Sequence, residues 1–496
     1  MSWSCLAPSV HESAGKSHPS HITKRGSKYL RTMSIEAAHS VARKGPAILK
    51  NFFQRLKEKK VTRRLLSLLL EKFSPSPIIC LSMMKCTLMF QEKPRNPCCH
   101  QPIWKNMTLT AVVAPGSNGL SSIAWLDLSQ EPQVLHVPEV RDHFFVLGFI
   151  DPYTTNIQNL RSVNRTPPGD YVIAGPGQYT VPIPAGTHRI DVDYNRIWII
   201  GSTQLKGSSD VATVNRIQDG YTLTPLSRYG TNDQPKNLTN PNTTVQYYQI
   251  PGGLDFFDML GQQLEQFPPP PANQPALDRF AEVGIGPGMA PSQNVHLSND
   301  TVRGLEDAVA AGPARIRNDT QALYLESFDA HNGYLVGGFG QYGTDYRMRA
   351  AVCQVGLGAF TSGQTIFALS WADHAKKPLT GSTNYILHMA SAPPVNEGWS
   401  VTVYDLNGTL IPNPINRYEF SDTSQLAHNA DGPVNIYLRP KQPSDPVQAD
   451  NWLPTADGQG FEVIWRLLAP QPAEIPGILN GTGWQPPAIT AVRVRS

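Results

Sequence analysis

Proline and glycine punctuate this chain so densely that long helices and long central strands have little room: 44 Pro and 39 Gly fall among 496 residues. Proline lacks an N–H and fixes φ, while glycine weakens the interior of an element, so both collect in turns. The expectation is short strands joined by loops. A chain this long exceeds one ordinary core and implies two or three domains.

Charge divides the chain. Residues 1–106 hold 19 Lys and Arg against 5 Asp and Glu, a net of +14; the remainder holds 23 against 34, a net of −11. An acidic body repels phosphate, which argues against nucleic acid as a partner. Cys5, Cys80, Cys86, Cys98 and Cys99 lie in the basic stretch, and only Cys353 lies beyond it. The body therefore depends on burial rather than on disulfides, and without a Cys-x-x-Cys pair a zinc site has no support.

Eight Asn-x-Ser/Thr sequons occur, at Asn106, Asn164, Asn237, Asn242, Asn299, Asn318, Asn407 and Asn480. That is roughly twice the chance number, and sequons matter only on the secretory route. Secretion is the leading expectation. The alternative is an intracellular protein whose basic leader acts as a targeting segment. No run of eighteen apolar residues occurs, so no transmembrane anchor is expected.

The pattern along the chain predicts a mainly β (α+β) protein: two β-sandwich or jelly-roll-like domains joined by a partly helical connector. Residues 1–106 form a basic, atypical leader, expected to be disordered, in which Lys44–Phe73 has the rhythm of a basic amphipathic helix. Residues 107–226 form the first β domain, with strands at 134–137, 144–150, 171–174, 188–192 and 197–200. Residues 227–330 form the connector. There Leu254, Phe257, Leu260, Leu264 and Phe267 make a helix that Pro268–Pro271 stop, and a second helix runs over Thr301–Ala311.

Residues 331–496 return to strands. Trp399, Val401 and Val403 oppose Ser400, Thr402 and Tyr404; Val434, Ile436 and Leu438 oppose Asn435, Tyr437 and Arg439. Phe461, Val463, Trp465 and Leu467 likewise oppose Glu462, Ile464, Arg466 and Leu468. Such alternation implies antiparallel sheets with one face on a core.

Ordered strings through both β regions carry a family likeness. They include Trp125-Leu126-Asp127-Leu128, Asp151-Pro152-Tyr153-Thr154-Thr155-Asn156 and Gly169-Asp170-Tyr171. Later come Tyr342-Gly343-Thr344-Asp345-Tyr346 with Arg349-Ala350, Leu379-Thr380-Gly381, Asn416-Arg417-Tyr418, Asn451-Trp452-Leu453-Pro454 and Trp484-Gln485-Pro486-Pro487. With these, roughly the last 380 residues resemble a two-domain family: domain of unknown function 1254 followed by domain of unknown function 1214. The resemblance implies two β-rich domains, commonly exported, with a jelly-roll-like second domain. The chain departs from it where Ser117–Ser121 replace a polar string and Ser202 an arginine. Residues 1–106 also lack a counterpart of the family's upstream region, so a truncated first domain is expected.

Two groups of residues are candidates for chemistry. Asp127 and Asp151 each close an apolar strand and could work as an acid and base pair, bind calcium, or cap turns. Asp405, Asn416, Arg417, Tyr418, Asn451 and Trp452 form the densest polar and aromatic cluster. There Arg417 could clamp an anion and a tryptophan face could stack on a sugar, or all six could be structural. Gly338-Phe339-Gly340-Gln341-Tyr342-Gly343 matches a dinucleotide-binding pattern but lacks the surrounding strand–helix units, so it reads as a tight turn. His136 and His143 lack metal spacing, and His388 reads as a satisfied core residue.

No nucleotide, zinc or other metal site is supported, and the cofactor is unknown. The expectation is a secreted protein binding a carbohydrate or other polar small molecule between its domains. The alternative is a hydrolase or small-metabolite tailoring enzyme using the carboxylates and Arg417.

Overall fold

The computed structural model describes residues 119–162, 166–232 and 250–492, with three short strands at Val10–Ser13, Lys16–Pro19 and Cys99–His100. The stretch Lys44–Phe73 and the sequons Asn106, Asn164, Asn237 and Asn242 lie outside the described residues. The chain forms two compact units, residues 1–72 with 298–304, and residues 73–297 with 305–496. The first contains an antiparallel hairpin, Val10–Ser13 with Lys16–Pro19. Both β regions belong to the second.

The first β region comprises Gly119–Asp127 (β1), Gln133–Val137 (β2), Phe145–Ile150 (β3), Asn156–Arg161 (β4), Gly169–Ala174 (β5), His188–Asp191 (β6) and Arg196–Gln204 (β7). After the helix Val211–Gly220 (α1), Thr222–Pro225 (β8) completes it. β1 buries every second residue, Leu120, Ser122, Ala124 and Leu126, as a strand with one face on a core must. The chain passes back and forth between two sheets. In the first, Cys99–His100, β1, β7, β3 and β4 lie in that order; the second runs β8-β2-β5-β6. Trp198 at the centre of β7 pairs with Trp125 on one side and Ile150 on the other.

The connector holds Asp255–Gln266 (α2), Gln274–Ala281 (α3) and Asn299–Phe328 (α4). α2 buries Phe256, Phe257, Leu260 and Leu264 and stops ahead of the proline run, as its sequence predicts. α4 is far longer than the expected Thr301–Ala311, because it continues through Pro313. An internal proline costs about 3 kcal/mol. Beyond it, however, Ile316, Leu323, Tyr324 and Phe328 are all buried. Each such side chain gives back about 1.5–3 kcal/mol, so the second stripe wins.

The last region comprises Leu335–Val336 (β9), Tyr346–Val355 (α5), Thr365–Ser370 (β10), Tyr385–Met389 (β11), Val395–Asp405 (β12), Glu419–Ser421 (β13) and Val434–Arg439 (β14). It continues with Pro446–Asp450 (α6), Trp452–Pro454 (β15), Phe461–Pro470 (β16), Ile475–Asn480 (α7) and Ile489–Ala491 (β17). A five-stranded sheet, β9-β10-β16-β12-β13, packs on a four-stranded one, β15-β14-β11-β17. Their shared core holds Trp399, Val401, Val463, Trp465, Leu387 and Ile436. Among the described residues the protein is mainly β, with four open sheets besides the short hairpin.

Two expectations change here. His388 is exposed, with Nδ1 2.8 Å from Asn435 Oδ1, because its strand presents Tyr385, Leu387 and Met389 inward instead. The second face of the five-stranded sheet is also buried, since Ile464 and Tyr404 pack with Leu323, Tyr324 and Phe328 of α4 and Val352 of α5.

The two β regions meet in one apolar cluster. Phe144, Val146, Ile150, Trp198 and Ile200 come from the first; Cys353, Leu357, Phe360 and Ala469 come from the second. Trp125 stacks on Trp198 with centroids 5.0 Å apart. Gly358 sits at φ 87° against this stack, where a Cβ would lie 3.0 Å from the Trp198 ring and 3.1 Å from Ile200. Gly358→Ala is therefore expected to cost about 1–3 kcal/mol in urea unfolding. Gly338→Ala, whose Cβ would meet open space, should leave the unfolding curve unchanged.

Candidate functional site

The family-like strings from the two β regions come together at the seam. Asp151 ends β3, and its Oδ1 accepts from the backbone N–H groups of Tyr153 and Thr155, each at 2.8 Å. This is the turn-capping arrangement, and it holds Thr154 at φ 64°. Arg349 of α5, only 3% exposed, donates to Tyr153 O at 3.1 Å and Gly343 O at 2.9 Å. The Asn156 N–H donates to Gly340 O at 2.7 Å, so the glycine-rich string is a turn packed against the first domain. Tyr153 and Tyr194 reach the ends of the same joint, donating to Phe267 O and Pro268 O of the connector. Burial pushes the Asp151 carboxyl up to about 7, against the opposing pull of the Thr155 and Tyr153 N–H groups and Arg349.

Asp127 is used differently. Its carboxylate pairs with Arg196 at 3.1 Å and accepts from the Ser129 N–H. Strand β7 runs between the strands that carry Asp127 and Asp151. The two carboxyl groups therefore have separate partners on either side of a strand. Among the described residues, no group of three His, Cys, Asp or Glu is placed to hold a metal.

The cluster around Arg417 is tied to backbone. Arg417 donates to the carbonyls of Ala449, Asp450 and Trp452 at 3.0–3.1 Å, closing the end of α6, and its guanidinium lies over the Phe420 ring. Asn451, 1% exposed, bonds both N–H and O of Ala427 and the Asn435 carbonyl. The Trp452 indole donates to Arg439 O. Tyr418 reaches Asn416, which stands at φ 50°. Asp405 lies apart, capping the turn at Asn407 and Thr409. Arg417, Asn451 and Trp452 thus meet, as links that hold loops to strands.

A different row of polar side chains occupies the buried second face of the five-stranded sheet. Arg466 donates to Thr402 Oγ1 at 3.1 Å and to the Tyr404 hydroxyl at 2.8 Å, and it stacks over the Phe367 and Tyr404 rings. Thr402 donates in turn to Glu419. Four residues earlier on β16, Glu462 Oε2 accepts from the Trp371 indole at 2.5 Å. Burial pushes its carboxyl up to about 7, against the pull of Trp371 and Arg466 and with help from Asp405.

Two cavities flank this row. One, of about 130 Å³, lies between the two β regions; its walls include Phe144, Ile200, Phe360, Phe367 and Leu468, and among the described residues Arg466 is the one charged residue lining it. The other, of about 390 Å³, is bordered by α4, α5, Trp371, Glu462 and the turn after β12. Neither Glu462 nor Arg466 stands out in the sequence as chemistry. The available signal was their company on the strand. Ile464 and Leu468 share their face, and a wet face has no use for them.

The molecule is thus a two-domain β protein with ligand-sized cavities beside a buried polar row. The models for two protein families of unknown function match it, DUF1254 over residues 96–225 and DUF1214 over residues 364–472. Both models are thus found in the chain, DUF1254 ahead of DUF1214. Residues 1–54, within the basic stretch, match the model of the transposase IS116/IS110/IS902 family. The VPA0106 protein from Vibrio parahaemolyticus has a similar fold, with a TM-score of 0.60 at 19% identity over 87% of this chain and 100% of that one. An uncharacterized protein from Burkholderia cenocepacia aligns at a TM-score of 0.40 and 11% identity over 92% of this chain and 98% of that one, too distant to carry an argument. No curated protein matches.

Asp151 and Glu462 give stability a definite pH dependence. Each binds its proton more tightly folded than unfolded, with ordinary values of 3.8 and 4.5 raised to about 7. Between these limits the folded state holds more protons, so stability falls as pH rises through the window and levels off above it. The melting temperature is expected to be higher at pH 5 than at pH 8. Asp151→Asn combined with Glu462→Gln should flatten that slope in thermal scans.

Proposed function

We propose that this chain is a small-molecule binding protein whose site is the cavity between its two β domains, taking a compact apolar molecule with an anionic end. The observation that carries this reading is the lining: mostly aromatic and aliphatic side chains, with Ser121, Ser202, Gln204 and Thr365, around what is among the described residues one guanidinium. An apolar cavity of about 150 Å³ holds benzene, so a cavity of about 130 Å³ suits a ligand of similar girth. A guanidinium recognises a carboxylate through paired N–H donors. The expected carbohydrate fits this cavity poorly, because ring hydroxyls buried against such walls lose partners they had in water.

The hydrolase alternative has weaker support. Asp127 is paired with Arg196, and Arg417 is bound to three backbone carbonyls. Export is part of the reading. The sequon asparagines Asn299, Asn318, Asn407 and Asn480 are all exposed, as glycan acceptors must be.

Benzoate tests the site. It is expected to raise the melting temperature with concentration, while uncharged toluene does so more weakly. Arg466→Met should remove the preference for benzoate and keep the response to toluene. No shift with either compound, or an unchanged preference in the variant, defeats the reading. Export is tested by the intact mass of the protein from a eukaryotic secretory host before and after deglycosylation. A loss of glycan mass is expected, with modified peptides that include Asn480; a mass unaffected by the glycosidase counts against it.

A further inference from the structure

The larger cavity is separate from the one just described and has a different character. Glu462 is 6% exposed and lines it. Its Oε2 is held by the Trp371 indole. A buried carboxyl gains from each donor that reaches it, so a donor in this cavity would stabilise it. Around it stand Thr320 and Gln321 of α4, Gln354 of α5, and Asn407 after β12. Thr320 Oγ1 donates to the Ile316 carbonyl at 2.9 Å and lies 3.2 Å from the Gln354 amide, which can both donate and accept. The ring of Trp371 and the side chain of Leu406 add apolar wall. At about 390 Å³ the space lies within the roughly 300–1,000 Å³ typical of ligand pockets.

Charge decides what class of ligand fits. Arg317 lines the cavity and Arg466 acts on Glu462 from along the same strand, so a cationic ligand meets one guanidinium and finds the Glu462 charge already partly offset by another. An anionic ligand meets Glu462, with Asp405 close enough to act on that carboxyl. A hydroxyl can donate to Oε1 without bringing charge, and amide side chains both donate and accept. We propose that this cavity is a second ligand site, taking a neutral polyhydroxylated molecule of monosaccharide size with Glu462 as the anchoring acceptor. The raised carboxyl pKa agrees with such a site, since a hydroxylated ligand can pair with either protonation state.

The test uses the full chain titrated with glucose, galactose, mannose and N-acetylglucosamine, followed by saturation-transfer NMR and calorimetry. At least one sugar is expected to bind saturably, and Glu462→Gln to weaken it tenfold or more. Gln321→Trp places a large side chain over the opening from an exposed helix position, so it should abolish sugar binding without unfolding the protein. It should also leave the benzoate response intact, which separates failure of this site from failure of the other. The proposal is overturned if none of the four sugars binds up to roughly 50 mM. It is equally overturned if binding survives both substitutions, or if choline or inorganic phosphate binds in their place.

Discussion

A guanidinium buried at the seam organises the second unit of this protein. Arg349 cannot return to water, so its terminal N–H groups need acceptors within reach, although its Nε stays unmatched, and a buried charge left without partners costs several kcal/mol. It finds the carbonyls of Tyr153 from the first β region and Gly343 from the turn before its own helix. The Asp151 carboxyl acts on the same joint from the first region. Meeting these demands together sets the position of α5. The segment that follows it, through Leu357 and Phe360, is then held against Trp198 and Ile200.

The consequence is a five-stranded sheet with no wet face. One side builds the sandwich core, and the other is covered by α4, α5 and, at the end of β16, the first domain. Polar residues on that covered side cannot be left to solvent, so they bond to one another: Arg466 to Thr402 and Tyr404, Thr402 to Glu419, Glu462 to Trp371. Where the packing leaves space beside this row, cavities form. Their characters differ because the row is apolar near Leu468 and acidic at Glu462. One strand therefore lines an apolar cavity with a cationic end and a polar cavity with an acidic floor.

Much of the β structure was legible in the residues. The runs at 134–137, 171–174 and 434–439 fall inside observed strands, since β-branched and aromatic residues between turn formers leave the backbone little else to do. The helix Asp255–Gln266 was legible for the converse reason, a stripe at helical spacing ended by prolines. α4 was underestimated because a proline is a local signal, whereas the burial that overrides it draws on Leu369, Tyr404 and Ile464, strand residues distant in the chain. The candidate site was less legible. Arg417 was singled out for its polar and aromatic neighbours, yet those neighbours and nearby carbonyls are its bonding partners. Glu462 and Arg466 looked like the solvent side of a strand.

The residues alone determined that this chain makes antiparallel sheets, which side of each strand is the more apolar, and that the basic stretch differs from the acidic body. These follow from local periodicity and composition, which need no knowledge of what lies opposite. Only the tertiary structure decided that the polar sides are buried too, that Asp127 and Asp151 serve different partners, and that Arg349 joins the domains. Those outcomes depend on contacts between segments far apart in the chain, where burial converts a surface charge into a group that must be matched.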